Sequence, residues 1–274
     1  MRWDKMAGIG LGILTGVAVI ARGMANSARL DITEETVEIP GLPAAFDGFR
    51  LLHMTDVHLR HCSEKVEQLL ALTEELDPDL VCLTGDYAFT ALSISDVERF
   101  FLGLSLRPAV VGVYGNSDYR PGITDVVRAS WEKSFPFLSN SALCLERAGE
   151  KLWIAGVDDP HLGRDSLLTA MELVPETATA ILLAHSPEVI LRKLDPRIKL
   201  ILSGHTHGGQ ICLPNGQAIF NNVNLPNSFA SGRHLLEGGA TLYVSRGVGS
   251  TRLPVRFGCL PEVTVFTLRG VTPG

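Results

Sequence analysis

Short apolar runs, each followed by side chains of the types that can bind metal ions, constrain this 274-residue sequence more than any other feature. Asp56, Asp86 and Asn116 follow three of these runs, and thirty residues separate each from the next. Such a run is typical of a buried β-strand, and amphipathic helical patterns lie between the runs. The interval therefore predicts strand–helix–strand units whose strands are parallel.

The second half of the chain has a different pattern. Strands are predicted at 50–55, 80–84 and 110–114 in the first half, and at 180–184, 200–203, 210–213, 241–245 and 262–268 in the second. Residues 143–145 and 152–155 flank a short polar turn and predict a hairpin, and a helix is predicted at 187–193. Two mixed β-sheets covered by helices fit this inventory better than one open sheet.

The polar side chains after the strands are expected to meet, because parallel strands bring their carboxyl ends to one edge of a sheet. Two carboxylates, one amide and four imidazoles would converge there. They belong to Asp56, His58, Asp86, Asn116, His185, His205 and His207. This set exceeds the needs of one transition-metal ion and suits two divalent ions about 3.5–4 Å apart that share a carboxylate. Oxygen and nitrogen ligands without sulfur favour Mn, Fe or Zn over Ca.

Composition excludes several classes of protein. With 46% hydrophobic and 20% charged residues, the chain is neither disordered nor fibrous. A net charge of −6 argues against nucleic acid as a partner. The five cysteines include no C-x-x-C pair, so they predict neither a disulfide framework nor a Cys-based zinc site.

The N-terminus carries sixteen uncharged, mostly apolar residues, 6–21, with two basic residues near each end. A helix of this length spans about 24 Å, somewhat less than the roughly 30 Å of a bilayer core. Residues 1–28 are interpreted as a hydrophobic membrane anchor or uncleaved signal segment, and the alternative is a buried helix of the globular domain. The balanced flanking charges leave the orientation open. Residues 36–268 are predicted to form one domain.

Several motifs together resemble the calcineurin-like metallophosphoesterase family. They are DVH at 56–58, GDY at 85–87, GNSD at 115–118, AHSPE at 184–188 and GHTHGGQ at 204–210. The resemblance covers nearly all of residues 47–268. The leading apolar segment and residues 245–268 are similar to the bacterial membrane-associated phosphodiesterase branch, some members of which act on UDP-2,3-diacylglucosamine. The resemblance implies an α/β fold, a four-layer αββα sandwich of two mixed sheets flanked by helices.

The same resemblance implies roles for the seven residues. Asp56, His58 and His207 would hold one ion, Asn116, His185 and His205 the other, and Asp86 would bridge both. Asp86, Asn116 and His205 are also expected to act in catalysis. The implied reaction is in-line attack on phosphorus by a hydroxide that the two ions share. The predicted protein is a metal-dependent phosphodiesterase at a membrane, the bacterial inner membrane being the expected location.

One residue departs from the family pattern, which usually reads Gly-Asn-His-Asp. Ser117 replaces the histidine, and a serine hydroxyl is far too weakly acidic to protonate a leaving group at neutral pH. This change predicts substrates whose leaving group needs no proton, such as a pyrophosphate or an aryl ester. Ser117 and Arg246 are predicted to bind substrate. Arg246 and its neighbour Arg252 could equally be solvated surface charges.

Three functions remain open on sequence grounds. The first is a two-metal phosphodiesterase that acts on a phosphodiester or pyrophosphate substrate, which could be linked to a lipid. The second is a UDP-2,3-diacylglucosamine pyrophosphatase of lipid A synthesis. The third is a membrane protein that binds metal without turnover.

His161 lies at a predicted strand end and either approaches the site or forms a structural hydrogen bond. The sequence gives no indication of the oligomeric state.

Overall fold

The computed structural model describes residues 16–60, 63–106 and 109–271. Its strands form two sheets. In chain order the strands are β1 (Asp31–Ile39), β2 (Arg50–Met54), β3 (Leu80–Thr84), β4 (Val110–Val113), β5 (Ser141–Arg147), β6 (Glu150–Gly156), β7 (Ala180–Leu183), β8 (Ile198–Ser203), β9 (Gly232–Leu235), β10 (Thr241–Val244) and β11 (Glu262–Gly270). The α-helices are α1 (residues 16–28), α2 (Ser63–Leu76), α3 (Ile94–Ser105), α4 (Asp125–Trp131) and α5 (Leu167–Ala170).

The first sheet has the order β1-β11-β2-β3-β4. Strands β2, β3 and β4 are parallel, as their thirty-residue interval predicts, so their carboxyl ends share one edge. Helix α2 crosses between β2 and β3 and buries Val66 and Leu69 against the sheet. It ends at Leu76 because Asp77 adopts a left-handed conformation with φ 43° and is followed by Pro78. Strand β11 lies between β1 and β2, parallel to the former and antiparallel to the latter.

The second sheet has the order β5-β6-β7-β8-β10-β9. The predicted hairpin is confirmed as the antiparallel pair β5 and β6. Strands β6, β7, β8 and β10 are parallel to one another, and β9 closes the far edge in the antiparallel direction. The carboxyl ends of β7 and β8 therefore lie side by side.

The two sheets pack face to face through apolar side chains. Leu51 and Val111 of the first sheet and Ile181 and Leu202 of the second are fully buried in this shared core. Helices α2, α3 and α4 cover the outer face of the first sheet, and α5 covers part of the outer face of the second. The predicted four-layer αββα sandwich of mixed sheets is confirmed.

Three local predictions need correction. Residues 210–213 form only isolated bridges, because His207, Gly208, Gly209 and Gln210 all have positive φ and turn the chain out of the extended conformation. The helix predicted at 187–193 is a shorter 3-10 helix, Pro187–Leu191. Strands β1 and β9 were not anticipated; β1 pairs with β11 at one edge of the first sheet, and β9 pairs with β10 at one edge of the second.

The predicted membrane segment, residues 6–21, lies largely outside the described residues, which begin at 16. Helix α1 packs onto residues 255–257. Arg256 N–H donates to Gly23 O (3.0 Å), and Asn26 Nδ2 donates to Arg256 O (3.0 Å). In the part of the chain that the structure covers, no helix combines the length and the apolar character needed to cross a bilayer.

Candidate metal centre

The seven predicted ligands lie together at the carboxyl ends of five strands from both sheets. Asp56 and His58 follow β2, Asp86 follows β3, and Asn116 follows β4. From the second sheet, His185 follows β7, while His205 and His207 follow β8. All are buried except Asn116, which is partly exposed. We refer to these seven side chains as the ligand cluster.

One half of the ligand cluster surrounds His207. Its Nε2 lies 3.1 Å from Asp56 Oδ1 and 3.3 Å from His58 Nε2. His58 Nε2 is in turn 3.3 Å from Asp86 Oδ2. Asp56, His58 and His207 each offer a ligand atom within 4.8 Å of the other two, so these three side chains can hold one cation, with Asp86 Oδ2 next to His58.

The other half of the ligand cluster surrounds His185. Its Nε2 lies 3.4 Å from Asp86 Oδ1, 3.2 Å from Asn116 Oδ1 and 3.1 Å from His205 Nδ1. Its Nδ1 donates to Thr84 O at 2.7 Å, so Nε2 is the nitrogen that faces the other candidate ligands. Burial lowers the pKa of this ring, but Asp86, Asp56 and Asp159 outweigh it and raise the pKa to about 9, so a cation at Nε2 would displace a proton. The two oxygens of Asp86 thus face two different sets of donors, the arrangement required of a bridging carboxylate.

An unpaired buried oxygen supports the fit of a cation. Asp56 Oδ2 accepts hydrogen bonds from Thr55 Oγ1 and from the backbone N–H of His205, both at 2.8 Å. Asp56 Oδ1 is buried, and although His207 Nε2 lies 3.1 Å from it, no donor within the described structure makes a hydrogen bond of good geometry to it. A buried carboxylate oxygen without a partner is unfavourable, and a divalent cation between it and His207 would satisfy it.

Burial also sets the protonation of two imidazoles. It lowers the pKa of His58 to about 4, with the His207 and Arg120 charges acting in the same direction against Asp86 and Asp56. It lowers the pKa of His205 to about 3. Both rings are therefore neutral at pH 7, which is the form that binds metal.

Much of the ligand cluster is held by a strained backbone. Asp56, His58, Asp86, His205 and His207 have φ values of 51°, 43°, 58°, 69° and 53°. Residues with side chains rarely adopt this left-handed region, and each such residue costs on the order of 1 kcal/mol or more. Conformations of this kind concentrate at functional sites, where the surrounding contacts enforce them.

Two glycines permit the close approach of the loops. A Cβ on Gly115 would lie 2.4 Å from Asp86 Oδ1, and one on Gly204 would lie 2.3 Å from Asp56 Oδ2. No side chain fits in either place. The glycines that precede Asn116 and His205 are therefore required for the carboxylates to reach the centre.

A cleft of 590 Å³ opens beside the cluster. His58 lies at its border, and its walls include Phe89, Arg120, Phe220, Asn222 and Arg252. Of the described residues that line it, none is a carboxylate. This volume is within the range of pockets that hold small organic molecules.

A family model described as calcineurin-like phosphoesterase matches residues 49–209, a span that exceeds half of the chain and contains the whole ligand cluster. The chain belongs to the calcineurin-like phosphoesterase family. Metal-dependent hydrolysis of phosphoesters is the activity that this family name describes, and the cluster supplies ligands suited to it.

Several proteins resemble this calcineurin-like phosphoesterase over most of its length. An uncharacterized metallophosphoesterase of Bacillus subtilis, YkuE, is 33% identical over 94% of each chain. A transmembrane protein with metallophosphoesterase domain from Danio rerio is 27% identical over 94% of this chain and 61% of its own. Among solved structures, a dimetal phosphatase from Danio rerio has a TM-score of 0.44 and 11% identity, covering 74% of this chain and 88% of that chain.

The two predicted substrate-binding residues have other partners. Ser117 is fully buried, its hydroxyl donates to Asp86 Oδ2 (2.7 Å), and its N–H donates to Asp86 Oδ1 (2.7 Å). Arg246 pairs with Glu262 (2.5 Å) and Asp31 (3.0 Å). A phosphate at Arg246 would have to compete with these carboxylates. The direct contact of either residue with substrate stays a prediction.

Sequence reasoning assigned no role to Asp118. Its carboxylate accepts hydrogen bonds from three backbone N–H groups, those of Asp86 (2.8 Å), Tyr87 (3.0 Å) and Gly115 (2.9 Å). It thereby ties the loop that carries Asp86 to the loop that carries Asn116. An acid two residues after a predicted ligand was the only available signal.

Arg256 was also missed, and no sequence signal pointed to it. Its side chain is fully buried and donates to the carbonyl oxygens of His207 (3.1 Å), Arg246 (2.7 Å) and Gly249 (2.5 Å). Gly249 N–H in turn donates to Asp56 O at 2.7 Å. Arg256 therefore connects the segments that carry two candidate ligands.

His161 does approach the cluster. Its ring lies 4.4 Å from that of His205, centroid to centroid, and its Nδ1 is 2.8 Å from Glu188 Oε2. Glu188 is itself held by Asn224 and Ser186. The two alternatives from the sequence are thus both realised, since His161 is hydrogen-bonded and also lies against a candidate ligand.

Proposed function

We propose that this protein is a two-metal phosphodiesterase. The observation that carries the proposal is the geometry of Asp86, whose Oδ2 faces His58 at 3.3 Å and whose Oδ1 faces His185 at 3.4 Å. When bound, two ions of the Mn, Fe or Zn type would supply charge neutralisation on phosphorus and activate water for in-line attack.

The chain's own residues have defined roles in this proposal. The cluster holds the ions, Asp118 and Ser117 fix the bridging carboxylate, and Arg256 maintains the segments around His207 and Asp56. The cleft leaves room for organic groups beyond the phosphate. That room favours a diester over a small phosphomonoester.

Membrane association through residues 6–21 is part of the proposal. Its support is the uncharged apolar segment in the sequence and the name of the Danio rerio relative, which describes a transmembrane protein. A lipid-linked substrate would follow naturally from such a location.

The test is turnover of bis-p-nitrophenyl phosphate by the full chain with added Mn²⁺. Asp86→Ala should reduce kcat by at least about 100-fold, because it removes the ligand that both halves of the cluster share. Asp165→Asn is the matched control, since Asp165 pairs with Arg192 at 2.9 Å outside the cluster. Binding of Mn²⁺ without turnover of any phosphoester would instead identify a non-catalytic metal-binding protein.

A further inference from the structure

The imidazole of His205 has close neighbours that do not belong to the ligand cluster. Its Nδ1 faces His185 Nε2 at 3.1 Å, whereas its Nε2 lies 3.2 Å from Asn222 Nδ2. Asn222 Nδ2 also donates to His205 O at 3.2 Å. The ring of His161 lies against that of His205, with 4.4 Å between the two centroids. Two side chains outside the cluster therefore restrict the orientation of one candidate ligand.

A buried carboxylate, that of Glu188, connects these two neighbours. Its Oε2 lies 2.8 Å from His161 Nδ1 and accepts from Ser186 Oγ at 3.1 Å. Its Oε1 accepts from the backbone N–H of Asn224 at 3.0 Å and from Asn224 Nδ2 at 2.7 Å. Asn224 is two residues after Asn222, and Glu188 itself is only 4% exposed. One carboxylate thus fixes both His161 and the segment that contacts His205.

The partners of Glu188 keep it ionised. Burial raises the pKa of its carboxyl, but the hydrogen bonds from Asn224, His161 and Ser186 outweigh burial and lower the pKa below its ordinary value of 4.5. An ionised carboxylate is a strong acceptor, and its bond to an imidazole N–H holds the ring in one orientation. Carboxylates in this position commonly order the histidines of metal sites.

The contacts of Glu188 are confined to one half of the ligand cluster. We call the set of donors around His185 the His185 half; it consists of Asp86 Oδ1, Asn116, His185 and His205. Ser186 directly follows His185 in the chain, and His161 contacts His205. Over the described part of the chain, no hydrogen bond or ion pair joins Glu188 to Asp56, His58 or His207. Loss of Glu188 should therefore disturb one cation site more than the other.

We propose that Glu188 is a positioning residue that sets the affinity of the His185 half for its cation, by holding His161 and residues 221–224 against His205. This inference rests on the two-cation part of the proposed function and names a residue outside the seven ligands on which that site depends. Glu188 touches neither cation nor substrate and acts through other side chains. Loss of such an outer partner typically lowers metal affinity by about 10–100-fold.

The experiment measures Mn²⁺ binding to the metal-free full chain by calorimetry, and the wild type should bind two ions. Glu188→Gln keeps the size of the side chain but replaces one acceptor oxygen with an NH₂ group, so either Asn224 or His161 loses its acceptor. The Kd of one Mn²⁺ should rise by about 10–100-fold, and that of the other should change by less than about 3-fold. The EPR spectrum should change accordingly, from a magnetically coupled pair of ions to an isolated Mn²⁺.

Asp165→Asn is the matched control. The Asp165 side chain is 2% exposed and pairs with Arg192 at 2.9 Å. Arg192 directly follows the 3-10 helix Pro187–Leu191, which carries Glu188. The variant therefore removes the charge of another inaccessible carboxylate next to the same helix, while every partner of Glu188 stays in place. Both Mn²⁺ Kd values should stay within about 3-fold of those of the wild type.

His161 provides a second pair of variants, and because its side chain is 36% exposed, both should fold. His161→Ala removes the ring that packs on His205 and should raise the same Kd by about 10-fold. His161→Phe keeps an aromatic ring at this position and should raise it by less than about 3-fold. A large loss of affinity in His161→Phe together with none in Glu188→Gln would mean that a nitrogen of His161 binds the cation directly, which would overturn the positioning role of Glu188.

Activity at saturating Mn²⁺ separates positioning from damage to the ligands themselves. The seven ligands are intact in Glu188→Gln, so excess Mn²⁺ should restore its kcat on bis-p-nitrophenyl phosphate to within about 3-fold of the wild-type value. Asp86→Ala lacks a ligand and should stay inactive at the same Mn²⁺ concentration. Failure of excess Mn²⁺ to restore Glu188→Gln would contradict the proposed role.

The inference and the proposed function fail in different ways. Equal weakening of both Mn²⁺ sites in Glu188→Gln, unchanged Kd values, or a wild type that binds a single Mn²⁺ would overturn the role of Glu188. Two bound Mn²⁺ without turnover of any phosphoester would overturn the phosphodiesterase and leave the role of Glu188, which is measured by binding, in place.

Discussion

A single buried histidine illustrates how a residue's surroundings control its chemistry. His53 lies inside β2, has no exposed surface, and places its Nε2 2.7 Å from Thr84 Oγ1. Burial lowers its pKa from 6.5 to about 3, with Asp56 opposing the shift. The folded protein therefore keeps this ring neutral over a pH range in which the unfolded chain protonates it.

We predict a pH-dependent loss of stability from His53. Folding lowers the pKa of His53, so the unfolded chain takes up a proton at a higher pH than the folded protein does. The contribution of the neutral ring to the free energy of unfolding is therefore fully present above pH 6.5 and is lost as the pH falls toward 3. Between pH 7 and pH 5 the free energy of unfolding should fall by about 2 kcal/mol more in the wild type than in His53→Asn. Urea unfolding of the metal-free protein at both pH values measures this difference. Parallel pH profiles for the two proteins would contradict it.

At the residue scale, the sequence was informative about ligand types and uninformative about their conformation. Asp56, Asp86 and His205 could be predicted as candidate ligands because each comes shortly after an apolar run. Their positive φ values could not, because the strain is imposed by contacts such as those of Asp118 and Arg256. These contacts join segments that are distant in sequence, and no local pattern encodes them.

At the scale of elements, the docking of α1 depends on the absence of one side chain. Gly23 is buried, and a Cβ there would lie 2.5 Å from Val255 Cγ1 and 2.8 Å from the Phe257 ring. The helix can therefore approach residues 255–257 closely enough to exchange hydrogen bonds with Arg256. Arg256 also holds the carbonyl of His207, so α1 is connected to the cluster through one residue.

We predict that Gly23→Ala separates α1 from this loop. Its Tm should fall, and proteolysis of α1 should become faster. Gly16→Ala is the matched control, because nothing lies within 4 Å of a Cβ at that position. In a helix, alanine is more stable than glycine by about 1 kcal/mol, and this effect applies to both variants. A lower Tm for Gly23→Ala would therefore have to come from the steric conflict at residue 23. Equal Tm values for the two variants would show that α1 does not pack as described.

The elements that sequence predicted well are those with a buried, continuous apolar run. Strands β2, β3, β4, β7 and β8 have nearly every residue buried, and all five were predicted. Strand β1 was missed because it lies at the sheet edge, where Glu34, Glu35 and Glu38 interrupt the apolar pattern. Residues 210–213 were wrongly predicted to form a strand because most of them are apolar. The positive φ values of residues 207–210 turn the chain out of the extended conformation, and the apolar pattern does not reveal them.

At the scale of the whole molecule, the ligand cluster joins the two sheets. Asp56, His58, Asp86 and Asn116 come from the first sheet, and His185, His205 and His207 from the second. A cation bound by residues of both sheets resists their separation. Because unfolding disperses the ligands, metal binding adds directly to the stability of the fold.

We predict that Mn²⁺ raises the Tm of the protein. At a free concentration of 100 times Kd, one site contributes about 2.7 kcal/mol, which corresponds to a rise of about 5–10 °C for a chain of this size. A chelator should reverse the rise, and Asp86→Ala should lack most of it. Differential scanning fluorimetry across a Mn²⁺ series provides the measurement, with Asp165→Asn as the control. A Tm that does not respond to Mn²⁺ would mean that the cluster holds no cation.

The position of β11 has a consequence for how the chain matures. This strand is the last in chain order, yet it lies between β1 and β2 in the first sheet. While the polypeptide is being synthesised, the place it will fill is a gap about 10 Å wide, two inter-strand spacings, bordered by unpaired backbone. β1 has no neighbour until β11 arrives, so a nascent chain must keep this half-built sheet from pairing with another molecule until residue 270 has left the ribosome.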